Sequence, residues 1–221
     1  MRLIILGPSG AGKGTQASRI AEHFGIRHIS TGDLLREEVL PDTILSRAVK
    51  RLIDSGDLVP DELMLSIVSE ILEGDNFLLD GFPRTFAQAL ELDEICSQYN
   101  TPIDIAINIE VPDDEIIQRI TGRKVCPGCK VMYHIYYKPP MTPFVCDICQ
   151  GPLEQRPDDT AITVRHRLKI YRERTLPIVD FYRRSNLLIE MDGTGDMNEI
   201  FNTLVRLVDE KFAHRGDATN V

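Results

Sequence analysis

Met1-Arg2-Leu3-Ile4-Ile5-Leu6 runs straight into Gly7-Pro8-Ser9-Gly10-Ala11-Gly12-Lys13-Gly14-Thr15. A short apolar run bounded by glycine is the pattern of a buried strand in a parallel sheet. The glycines let the backbone curl so that successive N–H groups point inward, and a helix is predicted to start at about Lys13. Inward amides and the positive end of the helix dipole together cage phosphate oxygens. Lys13 adds a point charge for outer phosphates, and Thr15 a hydroxyl for Mg²⁺. That hydroxyl comes one residue later than in the generic motif, because Gly14 follows the lysine. A ligand-free glycine turn is the plainer alternative. Strand, loop, lysine and helix in this order favour a phosphate-binding loop.

Outward from the loop, apolar runs alternate with helical periods. Ala17, Ile20, Ala21 and Phe24 carry the first helix, and Ile26-Arg27-His28-Ile29 reads as a short strand. Ser30-Thr31-Gly32-Asp33 reads as a cap, with a helix from about Gly32 to Leu40 that Pro41 stops. Further helices are expected over about 42–55, closed by Gly56, and over 61–73, opened by Pro60-Asp61. Phe77-Leu78-Leu79-Asp80 is a buried strand ending in an acid, followed by Gly81-Phe82-Pro83-Arg84-Thr85 and a helix to about Tyr99. Residues 104–111 form another apolar strand, and Pro112 opens a helix to Thr121. After residue 157 come a long helix over about 160–185, bent near Pro177, a strand over 187–192, and a closing helix from Met197 to about Phe212. The tail from His214 is expected to fray. Strands alternating with helices imply right-handed crossovers and a parallel sheet covered on both faces.

Residues 122–157 break that rhythm. They lack a helical period, are rich in Pro, Gly, Cys and Tyr, and read as an inserted module of short strands. Cys126-Pro127-Gly128-Cys129 and Cys146-Asp147-Ile148-Cys149 are two C-x₂-C pairs separated by sixteen residues. Each pair on a tight turn spans one edge of a tetrahedron, so Cys126, Cys129, Cys146 and Cys149 are candidate metal ligands. Zinc is the default for four thiolates and iron its main competitor. Four reduced thiols, or two disulfides, remain the bland alternatives. With every position filled by cysteine, the metal is expected to be structural. Cys96 lies in a helix far from the others and reads as a partly buried thiol rather than a ligand.

Bulk composition narrows the partners. At 221 residues, 43% hydrophobic and 27% charged, the chain fits one soluble α/β domain with insertions. A net charge of −9 argues against nucleic acid or an anionic membrane as partner. No stretch approaches about 18 apolar residues, and Met1 leads directly into the first strand, so a cytoplasmic protein is expected. In that compartment, five cysteines point to metal or catalysis before disulfides.

With these parts in place the chain resembles the adenylate kinase family, in its long-lid bacterial form with a metal-binding lid. The likeness spans residues 1 to about 212. It is carried by residues 7–16, Ser30-Thr31-Gly32-Asp33-Leu34-Leu35-Arg36, Leu58-Val59-Pro60-Asp61-Glu62-Leu63 and Asp80-Gly81-Phe82-Pro83-Arg84-Thr85. Gly122-Arg123, Tyr133-His134, Gln155-Arg156 with Asp158-Asp159, and Arg165 with Arg167 complete it. The resemblance implies an α/β, P-loop NTPase-type parallel sheet flanked by helices, with a helical NMP-binding insertion and a small zinc-binding β lid. Residues 1–29, 60–121 and 160–221 would form the core, 30–59 the nucleoside-monophosphate part and 122–159 the lid.

The same resemblance implies ATP contacts at Gly10, Ala11, Gly12, Lys13, Gly14, Thr15, Arg119, Arg123, Met132, Tyr133 and the Gly193-Thr194-Gly195 loop. It implies AMP contacts at Thr31, Arg36, Asp57, Leu58, Val59, Gly81, Phe82, Pro83, Arg84 and Gln88. Arg156 and Arg167 match arginines that reach across the transferring group, and Asp80 is placed to hold Mg²⁺ through water. Three stretches depart from the family pattern. Pro8-Ser9 leaves the amide cage intact. Lys130 and Gln150 follow the second cysteine of each pair where glycine is common, at a cost of about 1 kcal/mol each if φ must be positive. Leu40-Pro41-Asp42 replaces a glycine-containing turn.

The implied reaction, Mg²⁺-dependent transfer between ATP and AMP to give two ADP, explains why arginines matter. AMP's phosphate has a second pKa near about 6, so its oxygen is already ionised at neutral pH and no general base is needed. Neither His28, His134 nor any aspartate is nominated for that role. Catalysis reduces to positioning and charge neutralisation by Lys13, Arg36, Arg84, Arg123, Arg156 and Arg167. Singly, each arginine reads equally well as a surface ion pair, Arg156 with the neighbouring Asp158-Asp159 above all, and Arg119 as an ordinary helix-surface residue. A lid must also exclude water, with hinges expected near Gly122 and Pro157. The expected protein is a monomer acting on ATP, AMP and ADP. Two alternatives stay open: a kinase of another nucleoside monophosphate, and a zinc-ribbon NTPase switch that binds a macromolecule.

Overall fold

The computed structural model describes residues 1–38, 43–72 and 76–218. Strands β1 (Arg2–Leu6), β2 (Arg27–Ser30), β3 (Phe77–Asp80), β4 (Ile105–Glu110) and β7 (Leu188–Asp192) form one parallel sheet. Their order is β2-β3-β1-β4-β7. Within β1, Leu3 and Ile5 face one side and Ile4 and Leu6 the other, and all four are buried. The first pair joins Leu78, Ile107, Leu204 and Val208; the second joins Leu79, Phe82, Leu92 and Tyr182. Burial on both faces explains why β1, β3 and β4 read as continuous apolar runs. Each such Leu or Ile contributes about 1.5–3 kcal/mol when removed from water.

Helices α1 (Lys13–Phe24), α2 (Thr31–Glu38), α3 (Ile44–Ser55), α4 (Asp61–Ile71), α5 (Phe86–Gln98) and α6 (Asp113–Thr121) occupy the connections up to the insertion. Beyond it lie α7 (Ala161–Ile170), α8 (Leu176–Arg184) and α9 (Met197–Ala218). From β1 the chain departs outward to β2, whereas from β3 it crosses to β4 on the other side of β1. Connections that leave adjacent strands in opposite directions open a crevice at their carboxyl ends. The phosphate-binding loop and Asp80 sit at that end of β1 and β3.

Several boundaries differ from the sequence expectation. The α2 helix begins at Thr31, and α3 begins at Ile44 because Thr43 and Ser46 close a reciprocal capping box there. The expected turn at Leu40-Pro41-Asp42, and the stop at Pro41, lie outside the described residues. The bend expected near Pro177 falls earlier, as a π-helical turn over Tyr171–Thr175. Pro177 has no N–H to donate and its ring would crowd the carbonyl four residues back. The ladder is re-satisfied by the Leu176 N–H donating to Tyr171 O. The α9 helix continues to Ala218 rather than ending near Phe212.

The insertion forms a small antiparallel pair, β5 (Arg123–Val125) with β6 (Met132–His134), plus turns. Its interior consists of Cys126, Tyr133, Cys146 and Leu153, with Cys129 and Val131 packed against them.

Candidate active site

The glycine loop leaves β1 at a backbone angle few residues tolerate. Gly7 has φ +136°, and a Cβ there would lie 2.5 Å from the Ile109 carbonyl oxygen. Gly10 and Gly12 also have positive φ, and Gly12 caps α1, whose first residue is Lys13. The Lys13 ammonium curls back and donates to Pro8 O at 2.9 Å. Burial pushes its pKa down to about 8; Asp80 opposes this, and Arg84 and Arg123 add to it. Lys13 thus shares one electrostatic environment with residues from two other segments of the chain, that of Asp80 and Arg84 and the start of the insertion.

Asp80, 8% exposed, ends β3 against the loop. A Cβ on Gly14 would come within 3.3 Å of its Oδ2. A carboxylate and the Thr15 hydroxyl beside a phosphate cage are hard oxygen donors of the kind Mg²⁺ requires. His28 Nε2 lies 3.6 Å from Asp80 Oδ2.

One cavity opens beside this loop. Its lining includes Lys13, Thr31, Arg36, Asp57, Leu58, Val59, Gly81, Pro83, Arg84, Gln88 and Arg167. Nine of the expected AMP contacts therefore share one wall system. Phe82, the tenth, is fully buried in the core behind it. Thr31 Oγ1 donates to Asp80 O at 3.2 Å, tying α2 to the end of β3. Arg84 Nε donates to Gly81 O at 2.6 Å, and its backbone N–H to Gln88 Oε1 at 2.7 Å. Gln88 Nε2 in turn donates to Asp61 Oδ1 at 2.7 Å. Thr175, in the π turn, donates from Oγ1 to Arg84 O at 2.8 Å. Burial draws the Arg84 guanidinium below its ordinary range; Asp80 opposes this, and Arg167 and Arg36 add to it.

The remaining arginines converge from the insertion and α7. Arg123 Nε donates to Asp159 Oδ2 at 2.8 Å, and Arg167 Nη2 donates to Asp158 Oδ2 at 2.6 Å. Arg156 does not pair with its sequence neighbours. It reaches Asp33 at 3.6 Å, and Asp33 also holds Arg36 at 3.2 Å. Burial lowers the Arg156 pKa to about 10, with Arg36 and Arg123 adding to the effect. Five guanidiniums and one ammonium crowd a single cleft, an arrangement whose natural complement is a polyanion.

Arg119 is more than a helix-surface residue. Its Nη2 donates to Gly193 O at 2.8 Å and to Glu115 at 2.5 Å, and Nη1 lies 3.9 Å from where a Cβ on Gly12 would stand. It thereby joins the phosphate loop to the Gly193-Thr194-Gly195 turn. Met132 and Tyr133 lie in β6, and Tyr133 is 4% exposed. Its hydroxyl accepts from Asp147 N–H at 2.8 Å and lies 3.6 Å from Cys146 Sγ, so the Tyr133 side chain belongs to the lid interior. Only its backbone is left for a nucleotide. Asp33, Asp61 and Thr175 were not singled out by the sequence. Asp33 and Asp61 stood there only as a cap residue and a helix start within stretches that carry the family resemblance, and Thr175 had no signal.

The four cysteine sulfurs all lie within 4.8 Å of one another. Cys126 and Cys149 sulfurs are 3.3 Å apart, and those of Cys129 and Cys146 3.4 Å. A tetrahedral S₄ zinc site with ~2.3 Å bonds has edges of about 3.8 Å, so the set fits. Each pair lies on a tight turn, with Lys130 N–H donating to Cys126 O and Gln150 N–H to Cys146 O, both at 2.9 Å. Lys130 and Gln150 have φ of 63° and 60°, the left-handed conformation anticipated for these two positions.

A P-loop at a sheet switch point, facing an arginine-lined acceptor cavity under a cysteine-clipped lid, defines a nucleoside monophosphate kinase, a phosphotransferase. The family model described as "Adenylate kinase" matches residues 5–187. The chain is 46% identical to the adenylate kinase of Thermodesulfovibrio yellowstonii over 215 residues, covering 96% of this chain and 100% of that protein. It is 46% identical to the adenylate kinase of Archaeoglobus fulgidus over 214 residues, or 95% and 99% of the two chains. With the adenylate kinase of Clostridium botulinum strain Hall the figure is 47% over 212 residues, or 94% and 98%. The chain belongs to the adenylate kinase family.

Proposed function

We propose that this chain catalyses the reversible, Mg²⁺-dependent transfer of a phosphoryl group from ATP to AMP, giving two ADP. The convergence of Lys13, Arg36, Arg84, Arg123, Arg156 and Arg167 on one cleft carries the reading, because six cations match two phosphate chains and little else. Residues 10–15, Arg119, Arg123, the backbone of Met132 and Tyr133, and Gly195 form the donor side. Thr31, Arg36, Asp57, Leu58, Val59, Gly81, Phe82, Pro83, Arg84 and Gln88 form the acceptor side, with Arg156 and Arg167 between the two.

The loop amides and Lys13 hold the donor phosphates, while Arg36 and Arg84 grip the acceptor phosphate by planar, two-point contacts. Arg123, Arg156 and Arg167 neutralise charge on the group in flight, and no side chain takes a proton. Asp80, through water, and Thr15 would hold Mg²⁺, which when bound neutralises charge on the donor phosphates. The four cysteines would hold a structural Zn²⁺ that stiffens the lid over 122–159. The lid closes against the core of 1–29, 60–121 and 160–221 and the acceptor part of 30–59, excluding water. We read the protein as a monomer. Net charge −9 and the absence, among the described residues, of any helix long and apolar enough to cross a membrane fit a cytoplasmic enzyme without nucleic-acid or membrane partners. A coupled assay of ADP formation from ATP with AMP, CMP, UMP or GMP tests the reading. AMP is expected to be the preferred acceptor, and equal or better turnover with another monophosphate would refute it.

A further inference from the structure

One wall of the acceptor cavity is built from the end of α3 and the segment that follows it, and this wall rests on α7. Thr163, His166 and Arg167 are spaced i, i+3, i+4, so they share a helix face. Gly56, with φ +86°, presses onto that face: a Cβ there would lie 3.0 Å from Thr163 Cγ2 and 3.0 Å from Arg167 Cγ. Arg167 Nη2 donates to Ile53 O at 2.9 Å, taking up a carbonyl at the end of α3. Next along the chain, His166 Nε2 lies 2.7 Å from Asp57 Oδ1. Ser55 Oγ donates to the other carboxylate oxygen at 2.7 Å, and the Asp57 N–H donates to Leu52 O at 2.9 Å. Hydrogen bonds from His166 and Ser55 hold the Asp57 carboxyl below its usual range.

Asp57 is therefore anchored by its own helix end and by α7 at once. Its neighbours Leu58 and Val59, with Leu35, Ile53 and Met64, give the cavity an apolar surface suited to the face of a base. His166 itself does not line the cavity. Both partners are 43% exposed, so the pair adds little to global stability. Its consequence is local.

We propose that His166 is a positioning residue for the acceptor site: by holding Asp57 it fixes the Asp57-Leu58-Val59 wall against which the acceptor base packs. This rests on the reading of the cavity as the acceptor site. His166→Ala is expected to raise KM for AMP about fivefold, the upper scale of one lost half-exposed ion pair, with kcat and KM for ATP changed less than about twofold. His166→Lys, whose ammonium can reach the same carboxylate, restores KM. In an Asp57→Ala background, His166→Ala has no further effect, because the shared contact is already gone. An unchanged KM for AMP, an equal rise in both KM values, failure of the lysine to rescue, or additive single effects would each overturn the proposal. Arg36→Ala separates the two levels of inference. If it raises KM for AMP while His166→Ala does not, only the role of His166 fails; if neither does, the acceptor assignment itself fails.

Discussion

Burial brings the Lys13 ammonium to about 8, well below the ordinary 10.5, and this has two consequences of opposite sign. Between those values the unfolded chain holds a proton that the folded chain has released, so this group's burial penalty is relieved, and stability gains, as pH rises. The charge needed to meet a polyphosphate, however, is present below about 8 and lost above it. Since kcat/KM reports the free enzyme, kcat/KM for ATP should fall above pH about 8. Lys13→Ala should cost at least about 100-fold in turnover with an unchanged circular dichroism spectrum. Near-normal turnover in that variant, or a flat alkaline limb in the native protein, would count against the role. Arg84 is the second case. Its backbone is pinned by Gln88 and Thr175, so exchanging the side chain leaves the turn in place. Arg84→Lys should raise KM for AMP about tenfold and lower kcat, because an ammonium offers one centre of charge where a guanidinium offers a fork. An equal loss of ATP affinity would show that Arg84 does not belong to the acceptor side. Which arginines gather at the cleft was readable from motif and family resemblance; what each pairs with was not. Arg156 sits two residues from Asp158 yet bonds Asp33 across the cleft, because Asp158 and Asp159 are already taken by Arg167 and Arg123.

At the scale of elements, burial on both faces leaves β1, β3 and β4 as near-continuous apolar runs, whereas the edge strands β2 and β7 are only partly buried and were legible as short apolar segments between helices. Glycine spacing located the loop, and cysteine spacing the lid. Details set by tertiary contact stayed hidden. The π turn at Tyr171–Thr175 leaves no signature except a proline downstream, and its use of Thr175 to hold Arg84 depends on a segment far away in sequence. That the Tyr133 ring packs against the cysteines, while Tyr136, Tyr137 and Phe144 stay exposed, is likewise set by tertiary contact and has no sequence signal. So thin a lid interior leaves much of the chain entropy of ordering the insertion to be offset, and a metal held by the four cysteines would supply the difference. Chelation, or Cys129→Ser with Cys149→Ser, should therefore lower Tm by several degrees, while activity well below Tm survives in part. Metal analysis should find about one equivalent of zinc per chain. Freshly purified protein without metal, or complete loss of activity on metal removal with the fold intact, would contradict a structural role.

Across the whole molecule, a chain of net charge −9 has to receive highly charged anions. It does so with arginines whose charges are already answered. Asp159 faces Arg123, Asp158 faces Arg167, and Asp33 faces Arg36 and Arg156. Substrate entry is therefore expected to exchange ions: phosphate oxygens would replace these carboxylates on the arginines, so the cleft's field should change less than the substrate's own charge suggests. Stray monovalent and divalent anions, with too few oxygens to outbid a bidentate carboxylate, gain little from the exchange. Ionic strength, which weakens naked charge attraction over about 10 Å at 0.1 M, has correspondingly little to screen. KM for ATP should accordingly rise only shallowly with added salt, and the slope should steepen in an Asp158→Asn, Asp159→Asn double variant. Equal slopes would mean that the carboxylates do not shield the cleft. On that expectation the aspartates beside the arginines would serve as resident counter-ions, surrendered to a ligand that carries enough charge to replace them.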